Sequence, residues 1–197
     1  MFARTSSPSR ELIAATFHEL VQAERSASVQ TRAEAERLHA TPPGYAMAQI
    51  ADDAAEALPK LEQLVESRNF GCVDRATMSY LVSIFREGIV DRMLNKEMSY
   101  RTTLLGVRHG IDLVRMLWEL GIASDDRELV AWCDTWLTRR FARVSEAEGA
   151  FSWFALNPAL AMEPARGSPS SVRRWARAVL KAVGGEDGAP PVAARSA

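Results

Sequence analysis

LLGVRHGIDLVRMLW, residues 104–118, is the stretch whose reading decides the fold. Leu104, Val107, Ile111, Val114 and Trp118 recur three and four positions apart, the spacing of one face of an α-helix, and Tyr100 extends that face by a turn. Beside it Arg101, Arg108, Asp112, Arg115 and Glu119 form a narrow charged stripe. Arg108–Asp112 and Arg115–Glu119 stand at i,i+4 with opposite sign, each pair worth about 0.2–0.5 kcal/mol when exposed. Leu105, His109, Met116 and Leu120 make a second apolar strip, and Thr103, Gly106 and Gly110 a flank of small residues. Two glycines inside a helix cost about 1 kcal/mol each relative to alanine. A close helix–helix crossing is the expected return, with a ligand lying against bare backbone as the second reading.

The same periodicity runs through the neighbouring segments. Helices are expected over 9–39, 47–69, 74–96, 98–120, 125–149 and 170–183, with no sustained alternation of period two to suggest a strand. The first has an apolar stripe (Leu12, Ile13, Phe17, Leu20, Val21) that fades after Glu24, so its second half is expected to project or fray. TPPGYA, residues 41–46, reads as a break, Pro59 as a kink or restart in the second helix, and Gly121 as a left-handed stop after the fourth. Ser124 with Asp125 and Asp126 then caps the fifth. The fold expected is all-α, an up-down four-helix bundle with a long N-terminal helix and a short basic C-terminal helix added. The divisions are 1–46 for the N-terminal helix and Pro/Gly linker and 47–158 for the bundle core. Residues 159–197 supply a linker, the basic helix and a disordered end.

Composition narrows the functions. Hydrophobic residues are 47% and charged residues 25% of 197, with a formal net charge of −1, so nothing global points to nucleic acid. No stretch approaches the roughly 18 apolar residues of a membrane span, and the N-terminus lacks the apolar core of a leader. Cys72 and Cys133 stand in no metal-ligand spacing and are read as free buried thiols, which makes a reducing cytoplasm the expected compartment.

Chemistry-bearing motifs are missing. A di-iron bundle needs two Glu-x-x-His motifs and the chain has one, Glu36 to His39; there is no P-loop, no Gly-x-Ser-x-Gly, no His-Glu-x-x-His and no Cys-x-x-Cys. Glu87 and Asp91 could form half a carboxylate site, but they lie opposite Val82, Phe85 and Met93, toward solvent. No metal, cofactor or catalytic residue is therefore expected.

Two candidate surfaces stand out. On the fifth helix Arg140 falls in line with Leu129, Cys133, Trp136 and Val144, at the centre of the apolar face. A cation there must be paired or must open onto a cavity. Asp112 or Asp91 could answer it as an internal ion pair. Alternatively Arg140 is the base of a pocket for an acidic ligand, with Asp112, His109, Arg108, Trp132 and Trp136 around it and Trp118 as a further wall. Arg101, Arg108 and Arg115 could also grip an anion, against the simpler reading of a solvated face.

The second surface is the tail. From Pro164 onward the chain carries a net +4 against −5 for the rest. SSVRRWARAVLKAV sets Val172, Trp175, Val179 and Leu180 against Arg173, Arg174, Arg177 and Lys181. Such a helix suits an acidic partner groove or an anionic membrane surface, or folds back on the acidic second helix. The leading expectation is a non-enzymatic bundle acting in protein–protein interaction or self-assembly, with Arg173, Arg174, Trp175, Arg177, Leu180 and Lys181 touching the partner. A small-ligand or enzymatic bundle around Arg140 is the alternative.

Overall fold

A computed structural model describes residues 8–70 and 94–165. Within them the chain is all-α: α1 Pro8–Leu38, α2 Pro42–Ser67, α3 Lys96–Ala123, α4 Arg127–Gly149, and two short helices, α5 Phe151–Leu156 and α6 Pro158–Ala161. No strand occurs among the described residues, only an isolated antiparallel bridge between Asn95 and Pro164. No described helix is long and apolar enough to cross a membrane.

Among the four long helices, α1 packs beside α2 and α3, and α4 beside α3 and α2. Cross-helix contacts fix their directions. Arg25 pairs with Glu62 and Arg32 with Asp52, so α1 and α2 are antiparallel. Glu34 accepts from Ser99, while His109 meets Glu19, so α1 and α3 are antiparallel as well. The Tyr100 hydroxyl on the Ala147 carbonyl at one end, and Gly121 against Leu129 and Val130 at the other, set α4 antiparallel to α3. Consequently α2 and α3 run the same way, and the end of α2 and the start of α3 lie at opposite ends of the bundle. One end gathers the close of α1, the starts of α2 and α3 and the close of α4.

The core is not confined to 47–158. Phe17, Leu20 and Val21 are fully buried beside Met47, Ile50, Leu61, Leu104, Leu117 and Leu129. Nor does the second half of α1 project, because Ala27, Thr31, Glu34 and Leu38 are all buried. The apolar stripe fades there, but polar side chains continue the buried face by satisfying one another. Thr31 donates to the Ala27 carbonyl, and Glu34 accepts from Ser99 and pairs with Arg37. A hydrophobic count underestimates such a face.

At three positions expected to punctuate the chain, the prolines and glycines lie within helices. Thr41–Pro42–Pro43–Gly44 starts a helix: Thr41 accepts from the Gly44 amide at 3.3 Å, and the prolines occupy positions whose N–H would be orphaned in any case. A Cβ on Gly44 would collide with the His39 carbonyl oxygen, so this tight corner depends on glycine. Pro59 leaves α2 continuous. Gly121 stays inside α3, close to the side chains of Val130 and Leu129, and the left-handed residue is Asp125 instead. Asp126 then caps α4, accepting from the Leu129 amide at 3.0 Å, and Arg68 from the end of α2 binds the same carboxylate.

The linker expected after residue 158 is docked through Ala165. Ala161 and Ala165 are buried. The Lys96 amide donates to the Glu163 carbonyl, and the Ala165 amide to that of Leu94, both at 2.9 Å. The helix expected over 74–96, with Glu87 and Asp91, and Cys72 fall in the undescribed segment 71–93. The tail helix, 170–183, is also outside the described residues.

Candidate functional site

Arg140 occupies the position its spacing gives it. Leu129, Cys133, Trp136 and Val144 are buried on the same face of α4, and the Arg140 side chain is 3% exposed. Its partner is Glu24 of α1, not Asp112, at 2.6 Å from Nη2 to Oε2 and 2% exposed. The pair joins α1 to α4, two helices with few other close contacts. Trp136 lies 4.7 Å from the guanidinium and covers it with its ring face, a contact worth about 2 kcal/mol when dry. Arg140 Nη1 is buried without a hydrogen-bond partner. Burial pushes the Glu24 carboxyl above the usual carboxylate range, while the neighbouring guanidinium pulls it back.

Gly110 lies against this pair. A Cβ there would sit 3.7 Å from both Glu24 Oε1 and the Trp136 ring. The small flank of α3 therefore faces α1, as a crossing requires, but at ordinary van der Waals distance. Gly106 is more open still, with only Gln30 within reach.

The remaining pocket residues scatter. Asp112 is exposed and stands 3.9 Å from Arg115. His109 is half exposed and 3.1 Å from Glu19, and Arg108 reaches Glu148 at 2.5 Å. Trp132 is half-buried against the core. Of the six proposed pocket residues, only Arg140 and Trp136 are brought together in the bundle centre. Of the i,i+4 pairs expected on α3, Arg108 turns to Glu148 of α4, while Arg115 stays on its own helix and faces Asp112 instead of Glu119. Leu105 and Met116 are exposed, so the second apolar strip of α3 faces solvent among the described residues. Arg173, Arg174, Trp175, Arg177, Leu180 and Lys181 lie outside the described residues.

Among the described residues no three His, Cys, Asp or Glu side chains converge in a way that could hold a metal ion. Cys133 is buried, and burial, helped by Asp134, pushes its thiol up to about 12. Such surroundings disfavour the thiolate that nucleophilic chemistry requires.

A shallow, open depression lies elsewhere on the surface. At the end of the bundle where α2 begins and α4 closes, a cleft of about 440 Å³ opens to solvent. Pro42, Tyr45 and Ala46 form one wall, Ala150 and Gly149 the base, and Trp153 and Leu156 of α5 the other wall. Tyr45 is 60% and Leu156 82% exposed. Glu146 supplies a charge at the rim, shared with Arg143 at 3.1 Å.

The walls are anchored from behind. The N-cap at Thr41 places Tyr45 on the first turn of α2. Asn157 precedes Pro158, which disfavours continued helix and stops α5 after six residues. Asn157 Nδ2 donates to the Trp153 carbonyl at 2.8 Å. Phe154 packs edge-on to Trp153 and also meets the buried Tyr100, both at 5.2 Å. Tyr100 donates to Ala147 at 2.8 Å, and burial holds its hydroxyl pKa well above the ordinary value. The sequence offered one signal for this site: two aromatics and a leucine in SWFAL, just ahead of Asn-Pro. A six-residue helix is too short to show a period, so that signal marks no separate element within the expected core.

Comparisons with protein-family models, with curated proteins and with solved structures find nothing that matches this chain.

Proposed function

We propose that this chain is a non-enzymatic helical-bundle protein that acts by binding another protein, as an adaptor or as a piece of an assembly. The observation that carries the reading is the exposed aromatic cleft of Tyr45, Trp153 and Leu156 on a buried foundation. Aromatic side chains concentrate at protein interfaces, where they bury much area at little entropic cost. The ligand-pocket alternative gains no support from Arg140, whose charge is already answered by Glu24 in a closed contact. An up-down order of bundle helices, a cytoplasmic setting and the absence of any metal or cofactor belong to the same reading. So does the basic tail, which offers a further contact for a protein partner, with an anionic membrane surface as its second candidate.

Native mass spectrometry of protein gently isolated from its own cells tests this. The expected particle exceeds the 21.7 kDa chain by the mass of a protein partner. Tyr45→Ser with Leu156→Ser should remove that mass while leaving the thermal midpoint in place. A single chain carrying a stoichiometric small molecule would overturn the proposal.

A further inference from the structure

We infer that the apolar end of the bundle around Tyr45, Trp153 and Leu156 is the contact face of a two-fold dimer, so that the partner it takes is a second copy of this chain. This rests on the reading of that surface as a docking site and names its occupant. Five of the eleven large hydrophobic side chains that the described residues leave exposed stand at this one end: Tyr45, Met98, Leu156, Leu160 and Met162. The other six are spread over α1, α3 and α4. The five form one patch. Asn95 Nδ2 donates to Met162 Sδ at 3.4 Å, and the Met98 amide donates to Asn95 Oδ1 at 2.8 Å, which brings both methionines to the start of α3. Leu160, on α6, lies between Leu156 and Met162 in the chain and so joins the depression to the methionines.

The patch has the area that a stable dimer needs. With exposures from 39% to 82%, these five side chains hold on the order of 500 Å² of apolar surface in water. A standard interface buries about 800 Å² per partner, of which a little over half is apolar. Two such patches face to face therefore supply the whole apolar share.

Two features favour a copy of this chain over an unrelated protein. The charges bordering the patch are paired within the chain, Glu146 with Arg143 at 3.1 Å and Glu163 with Lys96 at 2.8 Å. A border of one sign would repel its own copy and select a partner of the opposite sign, whereas a neutral border does neither. The patch also contains both halves of a contact, since Leu156 projects from α5 beside the shallow depression between Tyr45 and Trp153. Across a two-fold axis Leu156 of each copy enters the depression of the other. Asn157 and Phe154 already hold α5 in place, so neither copy has to reorganise.

The test uses the purified full chain alone, with sedimentation equilibrium run from about 0.1 to 100 μM, the range over which a micromolar dimer forms. The expected particle passes from one chain to twice 21.7 kDa as concentration rises. Leu156→Ser removes a contact that the dimer makes twice and should raise the dissociation constant about a hundredfold. Val29→Ser, on the exposed side of α1, should leave that constant unchanged. Both variants should keep the parent's circular dichroism and thermal midpoint. A second pair checks the geometry: Leu156→Glu and Tyr45→Lys should each stay single, and mixing them should restore a particle with one chain of each. A parent chain that stays single throughout would overturn the inference, as would a dimer that Leu156→Ser leaves intact, or a mixture that restores nothing. The docking reading fails separately, as a single chain carrying a small molecule when the protein is isolated from its own cells.

Discussion

At the scale of single residues, Glu24 and Arg140 set the hardest constraint on the molecule. Each removes a full charge from water, and each is tolerable only because the other is 2.6 Å away. Arg140→Ala should therefore destabilise by about 3–5 kcal/mol by orphaning Glu24, and Glu24→Ala should do the same in reverse. Glu24→Leu combined with Arg140→Met replaces the pair by apolar groups and should return to within about 1 kcal/mol of the parent, or exceed it. Urea midpoints of the two single variants and the double variant measure this. If Arg140→Ala shifts the midpoint no more than the exposed Arg108→Ala, the central pair contributes nothing. The position of Arg140 was legible from the 3.6-residue spacing of α4, because periodicity reports which face a residue is on. Its partner was not legible. Glu24 is 116 residues away in the chain, and no local pattern carries a contact over that separation.

At the scale of helices, the glycines and prolines separate what propensity predicts from what packing permits. Gly106 and Gly110 share the small flank of α3, yet only Gly110 lies against the central pair. Gly106→Ala should stabilise the protein by about 0.8–1 kcal/mol, because helix propensity is gained where nothing closer than Gln30 is met. Gly44→Ala should cost about 1–3 kcal/mol, because the added methyl collides with the His39 backbone. For a chain of this size the thermal midpoints should then move about 2–4 °C per kcal/mol, in opposite directions. A fall for Gly106→Ala would mean that the crossing of α1 and α3 is tighter than its geometry indicates. Helix existence was readable from sequence over α1, α2, α3 and α4. Helix boundaries were less so: Pro42, Pro43 and Gly44 have the same composition in a loop as in the first turn of a capped helix. The Thr41 side chain, folded back on an amide, decides between them.

At the scale of the whole molecule, charges link α2 to α4 alongside apolar contact. Asp53 of α2 accepts from Arg139 at 2.6 Å and from Arg143 at 2.8 Å, and Glu56 meets Arg139 at 2.8 Å and Lys60 at 2.9 Å. Hydrogen bonds from Arg139 and Lys60 pull the Glu56 carboxyl from 4.5 to about 2. A folded-state pKa below the unfolded one adds stability that is fully present above about 4.5 and is lost as pH falls toward 2. Glu56→Gln should therefore make the thermal midpoint less sensitive to pH across that window, with the difference shrinking in high salt because the group is exposed. Equal slopes for parent and variant would show that the α2–α4 charges are bystanders. The amino-acid sequence by itself determined that the chain is helical, which faces of α3 and α4 are buried, and that Arg140 must have an answer, since these follow from local periodicity and the cost of burying charge. Tertiary structure alone decided that α1 is a corner of the bundle, that Glu24 gives that answer, and that SWFAL builds the wall of a cleft. Those outcomes depend on which distant segments meet, and the free energy that selects them resides in contacts between helices rather than in any one of them.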